Sequence, residues 1–285
     1  ANVVYHLPKV LYFWRSHPGS VASGIEAKTY CLDSAKKALS DHLNRIGWKG
    51  SVEDSSFASS YHIRYEIEGN PMISILIPNK DHIGELETCI GSVFDKTTYE
   101  NFEIVIIENG SEEEETFAYY KQLEAEYGEK VRIVTWNYGF NYAAINNFGA
   151  KAAKGDYLLL LNNDTEVITP DWLQEMLMFA QREDVGVVGA MMYFGDDTIQ
   201  HAGIIMGIGG TAGHSHKGLK RGSAGYLCKL AIAQDVSGVT GACMMIAKDK
   251  YEKLGGLDEK FAVAFNDVDF CCRLLDAGYK NVFTP

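Results

Sequence analysis

From Pro71 onward the chain alternates two hydrophobic patterns. MISILI (72–77), FEIVII (102–107) and YLLLL (157–161) are short apolar runs with little polar alternation, and VRIVTW (131–136) stands among them as a fourth strand. Unbroken runs of this length suit strands of a parallel sheet covered on both faces. Between and after them, apolar residues recur at helical spacing: Ile83, Leu86, Ile90 and Val93; Phe140, Ala144, Phe148 and Ala152; Trp172, Leu173, Met176 and Leu177. Pro78 closes the first strand and Asp81 is placed to cap the helix after it. Ser111 with Glu114 forms a capping box for a second helix, which accounts for the acidic run Glu112–Glu115, since carboxylates favour a helix N-terminus. Thr169-Pro170 starts the helix of Trp172 with proline at its first position. This rhythm predicts an α/β fold, a mostly parallel sheet with right-handed crossovers flanked by helices.

Before Pro71 the pattern differs, and Gly69-Asn70-Pro71 is read as a boundary between a small α/β extension, 1–70, and the main domain, 71–285. KVLYFW (9–14) reads as a short strand. Ala35, Ala38, Leu39, Leu43 and Ile46 predict a helix capped by Asp33 or Ser34 and stopped by Gly47, and residues 60–66 predict another strand.

With 285 residues and 46% hydrophobic content, the chain can bury a large core. A net charge of −12 argues against a nucleic-acid partner, because phosphate backbones are gripped by clustered Lys and Arg. The six cysteines show no CxxC spacing and are expected to be reduced core thiols. No apolar run approaches the ~20 residues of a membrane span, and no signal-peptide pattern opens the chain. The expected location is the cytoplasm. Lys36, Lys37, Arg45 and Lys49 leave open whether the first helix touches the anionic inner face of the plasma membrane or presents a solvated face.

Candidate chemistry gathers at strand ends, where open α/β sheets bind ligands. Asn162-Asn163-Asp164 follows YLLLL directly. An Asp there offers the oxygen that hard cations such as magnesium or manganese want, and the same triplet also suits the start of a turn; both readings stand. Asn79-Lys80-Asp81 and Glu108-Asn109 end two other strands; Glu108 suits a ribose or base, or a turn with Gly110. GIGGTA (207–212) matches G-x-G-x-x-A, but it comes late and leads into His214-Ser215-His216 without helical periodicity, so it reads as a flexible loop. His201, His214 and His216 lack the matching third and fourth ligands of a metal site. Asp267 lies at or near the start of a helix marked by Val268, Cys271 and Leu275 and ended by Gly278. It is either a cap or a general base held over the strand ends.

Seven stretches in order carry a family resemblance: ISILIPNKD, IVIIENGS, NYGFNYAAINNFGAKAAKG, LLLLNNDTEV, VTGACMMI, GGLDEKF and NDVDFCCRL. From Pro71 to Pro285 the chain resembles glycosyltransferase family 2, inverting enzymes of GT-A fold, and is similar to tandem-domain bacterial polysaccharide enzymes of rhamnan type. The resemblance implies nucleotide-sugar contacts at Pro78, Asn79, Glu108, Asn137, Asn147, Asn163, Gly241 and Asn266. It implies an Mn2+ or Mg2+ ion on Asp164, the last residue of the D-x-D position, and Asp267 as catalytic base. The implied partners are a UDP- or dTDP-linked donor and a saccharide or lipid-linked saccharide acceptor. Residues 1–70 resemble the tail of an upstream glycosyltransferase domain, and the chain stops before the His-containing segment that ends such domains, so other domains of a longer chain are expected. Three positions depart from the pattern. Asn162 replaces an acid of D-x-D, Asn146 stands where many relatives carry Arg, and Asn266 replaces the Glu before the base. A catalytically degenerate sugar-nucleotide-binding domain is the alternative. A glycosidase would need a second carboxylate opposite Asp267, and the sequence pairs none with it.

Overall fold

A computed structural model describes residues 5–17, 19 and 30–285. The chain divides into two compact units, one ending at Ile63 and the other running Arg64–Pro285.

In the first unit the strand expected over KVLYFW is absent. Residues 5–17 carry neither helix nor ladder, and Tyr12, Phe13 and Trp14 are exposed. Apolar composition alone does not make a strand; a paired edge does. Helix α1 (Tyr30–Ile46) has begun before Asp33 and Ser34, so neither caps it. Its end is as expected: Gly47 has φ +74°, and Gly47 N and Trp48 N donate to the carbonyls of Asn44 and Leu43. That pair of bonds is a Schellman motif, which needs a residue free to turn left-handed. Strands β1 (Gly50–Asp54) and β2 (Tyr61–Tyr65) form a two-stranded sheet.

The second unit is built by β3 (Ile73–Asn79), α2 (Ile83–Lys96), β4 (Phe102–Glu108), α3 (Glu114–Tyr127), β5 (Val131–Thr135), α4 (Tyr142–Ala152), β6 (Tyr157–Leu161), α5 (Trp172–Ala180) and β7 (Val185–Ala190). Then come the short pairs β8 (Met192–Tyr193) with β9 (Ile199–His201) and β10 (Ile204–Met206) with β11 (Ala212–His214). The chain closes through β12 (Gln234–Val236), β13 (Cys243–Ala247), α6 (Lys248–Lys253), α7 (Asn266–Asp276) and β14 (Lys280–Thr284). An eight-stranded sheet has the order β12-β14-β7-β13-β6-β3-β4-β5. Strands β6, β3, β4 and β5 are parallel, whereas β13 lies antiparallel between β6 and β7.

The unalternating runs are explained by burial on both faces. In β6, Leu159 and Leu161 join the core under α2 and α5, while Leu158 and Leu160 join the core under α4 and α7. Strands β3, β4 and β13 divide in the same way. Pro78 does not close β3; the strand continues through it to Asn79. Ile73 N bonds toward β4, so by the strand's period of two, position 78 faces β6, and pairing with β6 ends at Leu76. The missing N–H leaves no ladder partner unsatisfied.

Several local expectations are corrected. α2 begins after His82, in a left-handed conformation, without a side-chain cap from Asp81. Asp81 instead accepts from Glu112 N (2.9 Å), Glu113 N (3.0 Å) and Thr116 Oγ1 (3.3 Å), so it caps α3, a helix more than thirty positions on. Those bonds hold its carboxyl below the usual range. Ser111 makes no capping box, because α3 starts at Glu114 and the serine turns to Glu108. α4 starts at Tyr142 and buries Ala143, Ala144, Ile145 and Gly149, leaving Phe140 exposed outside it. Pro170 precedes α5 rather than occupying its first position. The six cysteines are free.

Candidate functional site

Strands β6, β3 and β4 are neighbours, so Asn162–Asn163, Asn79 and Glu108 emerge side by side. They are tied into one cluster. Asn163 Nδ2 donates to Asn79 Oδ1 (2.7 Å), and Asn79 Nδ2 donates to the Tyr120 hydroxyl (2.8 Å) and the Asp81 carbonyl (3.0 Å). Tyr120 donates in turn to Glu108 Oε2 (2.7 Å). Ser111 supplies its N–H and its hydroxyl to the two oxygens of Glu108. Glu108 is buried, and three of its roughly four acceptor sites are filled. Of the two readings of Glu108, these bonds are those of the turn: it braces Asn109–Ser111, with about one acceptor site left for a ribose or base. Burial raises the Tyr120 hydroxyl well above the ordinary phenol range. Nothing in the sequence spacing marks Tyr120, whose role comes from α3 packing across the strand ends.

Asp164 lies just beyond this cluster, exposed and without a hydrogen bond or ion pair among the described residues. No group of three His, Cys, Asp or Glu that could hold a metal occurs among the described residues. The donors present are nonetheless of the right kind: one unengaged carboxylate beside Asn163, whose amide N–H is committed to Asn79 and whose oxygen is not. Magnesium-like ions use one or two carboxylates and take their remaining oxygens from water and substrate phosphates, so this set fits such an ion in company with a diphosphate.

Beside the β6 end opens a cleft of about 440 Å³, lined by Tyr142, Asn162, His214, Gly241, Asn266 and Asp267 among others. Its wall is the N-terminus of α7, entered through Phe265 in a left-handed conformation. Asp267 Oδ2 accepts from Gly241 N (3.0 Å) and Oδ1 from Val268 N (2.8 Å). Two bonds on a carboxylate leave acceptor capacity for a ligand. Asn266 is buried, donating to the Phe261 carbonyl (3.1 Å) and accepting from Asp267 N (2.9 Å), so it sets the turn that presents Asp267. Tyr142 donates to the Gly241 carbonyl (2.9 Å), and a Cβ at Gly241 would sit 3.1 Å from that hydroxyl. Burial first, then the nearby Asp267 charge, raises Tyr142.

The residues expected at the site thus separate. Gly241, Asn266 and Asp267 share the cleft; Asn79, Asn163 and Glu108 form the adjoining cluster, with Pro78 one position before Asn79 in β3. Asn137 is exposed on the loop before α4 and does not line the cleft. Asn147 is elsewhere: its amide donates to Leu257 O and Glu259 Oε1 and accepts from Tyr251 and Leu257 N, so it pins the 251–259 segment to α4. Asn146 is fully buried with its Oδ1 unpartnered. GIGGTA is no loose loop but the turn of the β10–β11 hairpin, with Gly207, Gly209 and Gly210 at positive φ. His201 and His214 meet each other, while His216 bonds Ser215 and Tyr226 N. Of the cleft-lining residues, Asn162 belongs to the strand-end triplet and His214 to the histidines weighed as metal ligands, whereas nothing in the spacing marks Tyr142.

A family model described as Glycosyl transferase family 2 matches residues 74–255. Uncharacterized protein y4gI of Sinorhizobium fredii is 42% identical over 99% of this chain and 31% of its own length. The O-antigen biosynthesis protein RfbC of Myxococcus xanthus is 39% identical over 98% of this chain and 22% of its own length. The chain therefore spans under a third of either relative. Among solved structures, GalNAc-T7 with UDP, GalNAc and Mn2+ superposes with a TM-score of 0.62 at 16% identity, covering 82% of this chain and 46% of that one. The mannosyltransferase PcManGT from Pyrobaculum calidifontis, in complex with GDP-Man and Mn2+, superposes with a TM-score of 0.58 at 14% identity, covering 93% of this chain and 67% of that one.

Proposed function

Because this chain belongs to glycosyltransferase family 2 and has the GT-A fold, we propose that it moves a sugar from a UDP- or dTDP-linked donor to a saccharide acceptor in surface polysaccharide assembly, with Asp267 as general base. The observation that carries this reading is the seating of Asp267. Its carboxylate is fixed by Gly241 N and the first turn of α7, yet it lines a cleft that abuts the β6 end. Asp267 takes the proton of an acceptor hydroxyl as that oxygen attacks the anomeric carbon. The new C–O bond forms on the face opposite the one that breaks, the nucleoside diphosphate departs with the bonding pair, and configuration inverts. Asp164, with Asn163 beside it, would hold the divalent ion, which supplies charge neutralisation for the departing diphosphate. Asn79 and Asn163 shape the adjoining nucleotide site, and Glu108 keeps its floor rigid.

The named role of RfbC, the UDP and GalNAc held by GalNAc-T7 and the GDP-Man held by PcManGT support a nucleotide-sugar donor and a polysaccharide product. They fit work in the cytoplasm, at the inner face of the plasma membrane, on a saccharide or lipid-linked saccharide. Among the described residues no helix is long and apolar enough to cross a membrane. Residues 1–70 are read as the tail of a preceding domain, supported by alignments to much longer relatives that run over nearly the whole chain. The test is a panel of UDP- and dTDP-sugars with Mn2+ and methyl glycoside acceptors. Transfer lost in Asp267→Asn with nucleotide affinity kept supports the reading. Binding without transfer by the native chain identifies a binding domain instead.

A further inference from the structure

His201 and His214 lie beside the cleft and have no part in the transfer described above. His201 is fully buried at the end of β9, and Gly203 N donates to its Nε2 (3.3 Å). A neutral imidazole has one donor and one acceptor nitrogen, so the proton of His201 sits on Nδ1. That nitrogen lies 2.9 Å from Nδ1 of His214, with the rings at 85°. Nδ1 of His214 therefore accepts, and its own proton sits on Nε2, the nitrogen left for the cleft that His214 lines. Burial pushes His201 down to about 3, with the neighbouring ring adding to it, so the buried ring stays neutral. A cationic His214 would carry a proton on Nδ1 and require His201 to accept at both nitrogens, which a neutral ring cannot do. The properties of His214 agree: burial and then the Lys217 ammonium lower it, against the opposing pull of Asp267.

Building on the transfer reading, we propose that Nε2–H of His214 is a tautomer-locked, uncharged hydrogen-bond donor to a sugar hydroxyl in the Asp267 cleft, with His201 as the positioning residue that sets the lock. A neutral donor suits a neutral oxygen; a phosphate gains its strongest bonds from cationic donors. The hydroxyl belongs to the donor sugar or to the acceptor sugar, and the experiment separates the two.

Nitrogen-15 NMR of the imidazoles in the full chain at pH 7 should show His201 protonated at Nδ1 and His214 at Nε2. His201→Asn, which keeps an N–H near the Nδ1 position, should preserve the His214 tautomer, whereas His201→Leu should release it to a mixture. The opposite tautomers, or a cationic His214, overturn the dyad whatever the protein does. Calorimetry with Mn2+ then compares UDP and dTDP with the sugar nucleotide that the native chain binds. His214→Phe should leave the diphosphate affinity unchanged and weaken the sugar nucleotide about 10-fold if the hydroxyl is the donor's. If it is the acceptor's, the same variant should raise the acceptor KM about 10-fold instead. His214→Gln, whose amide reaches the Nε2 position, should recover most of either loss. A His214→Phe chain that matches the native one in both measurements overturns the sugar contact. Native chain that binds no sugar nucleotide overturns the transfer reading and the sugar contact with it, while the tautomers still decide the dyad.

Discussion

Asp164 and Asp267 act at different moments of the proposed transfer, so their variants should fail differently. Asp164→Ala should lose metal-dependent nucleotide binding together with turnover, since the ion bridges protein and diphosphate before and during transfer. Asp267→Asn keeps size and an oxygen for one of the two backbone N–H groups that Asp267 accepts from, while losing basicity, so affinity should persist as the rate falls ~10²-fold or more. Calorimetry beside initial rates checks both; a fully active Asp267→Asn chain would remove the base assignment. A third acid tests stability rather than chemistry. Glu103 is buried in β4, bonded by Ser74 Oγ (2.7 Å), Lys154 N (2.7 Å) and Arg132 (2.8 and 2.9 Å). Burial, the largest single influence, pushes its carboxyl up, but those bonds outweigh it and the folded value is lowered. A lowered folded value contributes stability above the unfolded carboxyl range and loses it as pH falls through the folded one. Arg132→Leu should therefore cost about 2–3 kcal/mol at pH 7, with the difference from the native chain shrinking below about pH 4 in urea titrations. A difference that stays constant with pH would show that packing, not charge, carries it.

At the scale of elements, two glycines of the sheet-and-helix layers should respond oppositely to alanine. A Cβ at Gly155, just before β6, would lie 2.7 Å from Met72 O and Ser74 N. Backbone cannot yield as a side chain can, so Gly155→Ala should destabilise by about 1–3 kcal/mol. Gly91, inside α2, has open space around a Cβ. Gly91→Ala should stabilise by about 0.5–1 kcal/mol through helix propensity. Thermal unfolding of the two variants gives the comparison, and a tolerated alanine at 155 would show that β3 and the turn before β6 are less closely apposed than described.

For the molecule as a whole, the division after Ile63 predicts that the second unit is a folding unit in its own right. A chain beginning at Arg64 should unfold in one cooperative transition and keep its nucleotide affinity, because the eight-stranded sheet, the cleft and the Asn79–Glu108 cluster all fall within it. Non-cooperative melting of that chain, or loss of nucleotide binding, would overturn its independence.

What the sequence determined by itself were the elements whose neighbours in space do not matter to their pattern. β3, β4 and β6 read as strands because both their faces are apolar, and α5 read as a helix because Trp172, Leu173, Met176 and Leu177 all fall on its buried side. Gly47 at the end of α1 was legible for the same reason, since a helix stop is set by bonds within a few residues; Asp267 was placed near the start of α7, but it is no cap: α7 is entered through Phe265 without a side-chain cap, and Asp267 accepts from the distant Gly241 N. The resemblance of seven ordered stretches supplied the family. Tertiary structure alone decided where long-range partners intervene. Asp81 caps α3 rather than the helix beside it because β3 and β4 end side by side. Asn147 is occupied by partners that lie far away in sequence, Tyr251 and Leu257, and Glu108 by Ser111 beside it together with Tyr120, which α3 brings across the strand ends. KVLYFW has a strand's composition without a strand's neighbours. His201 and His214, separated in the chain, meet only because β9 and the β10–β11 hairpin bring two rings within hydrogen-bond reach; spacing encodes what a segment can be, and contact selects what it does.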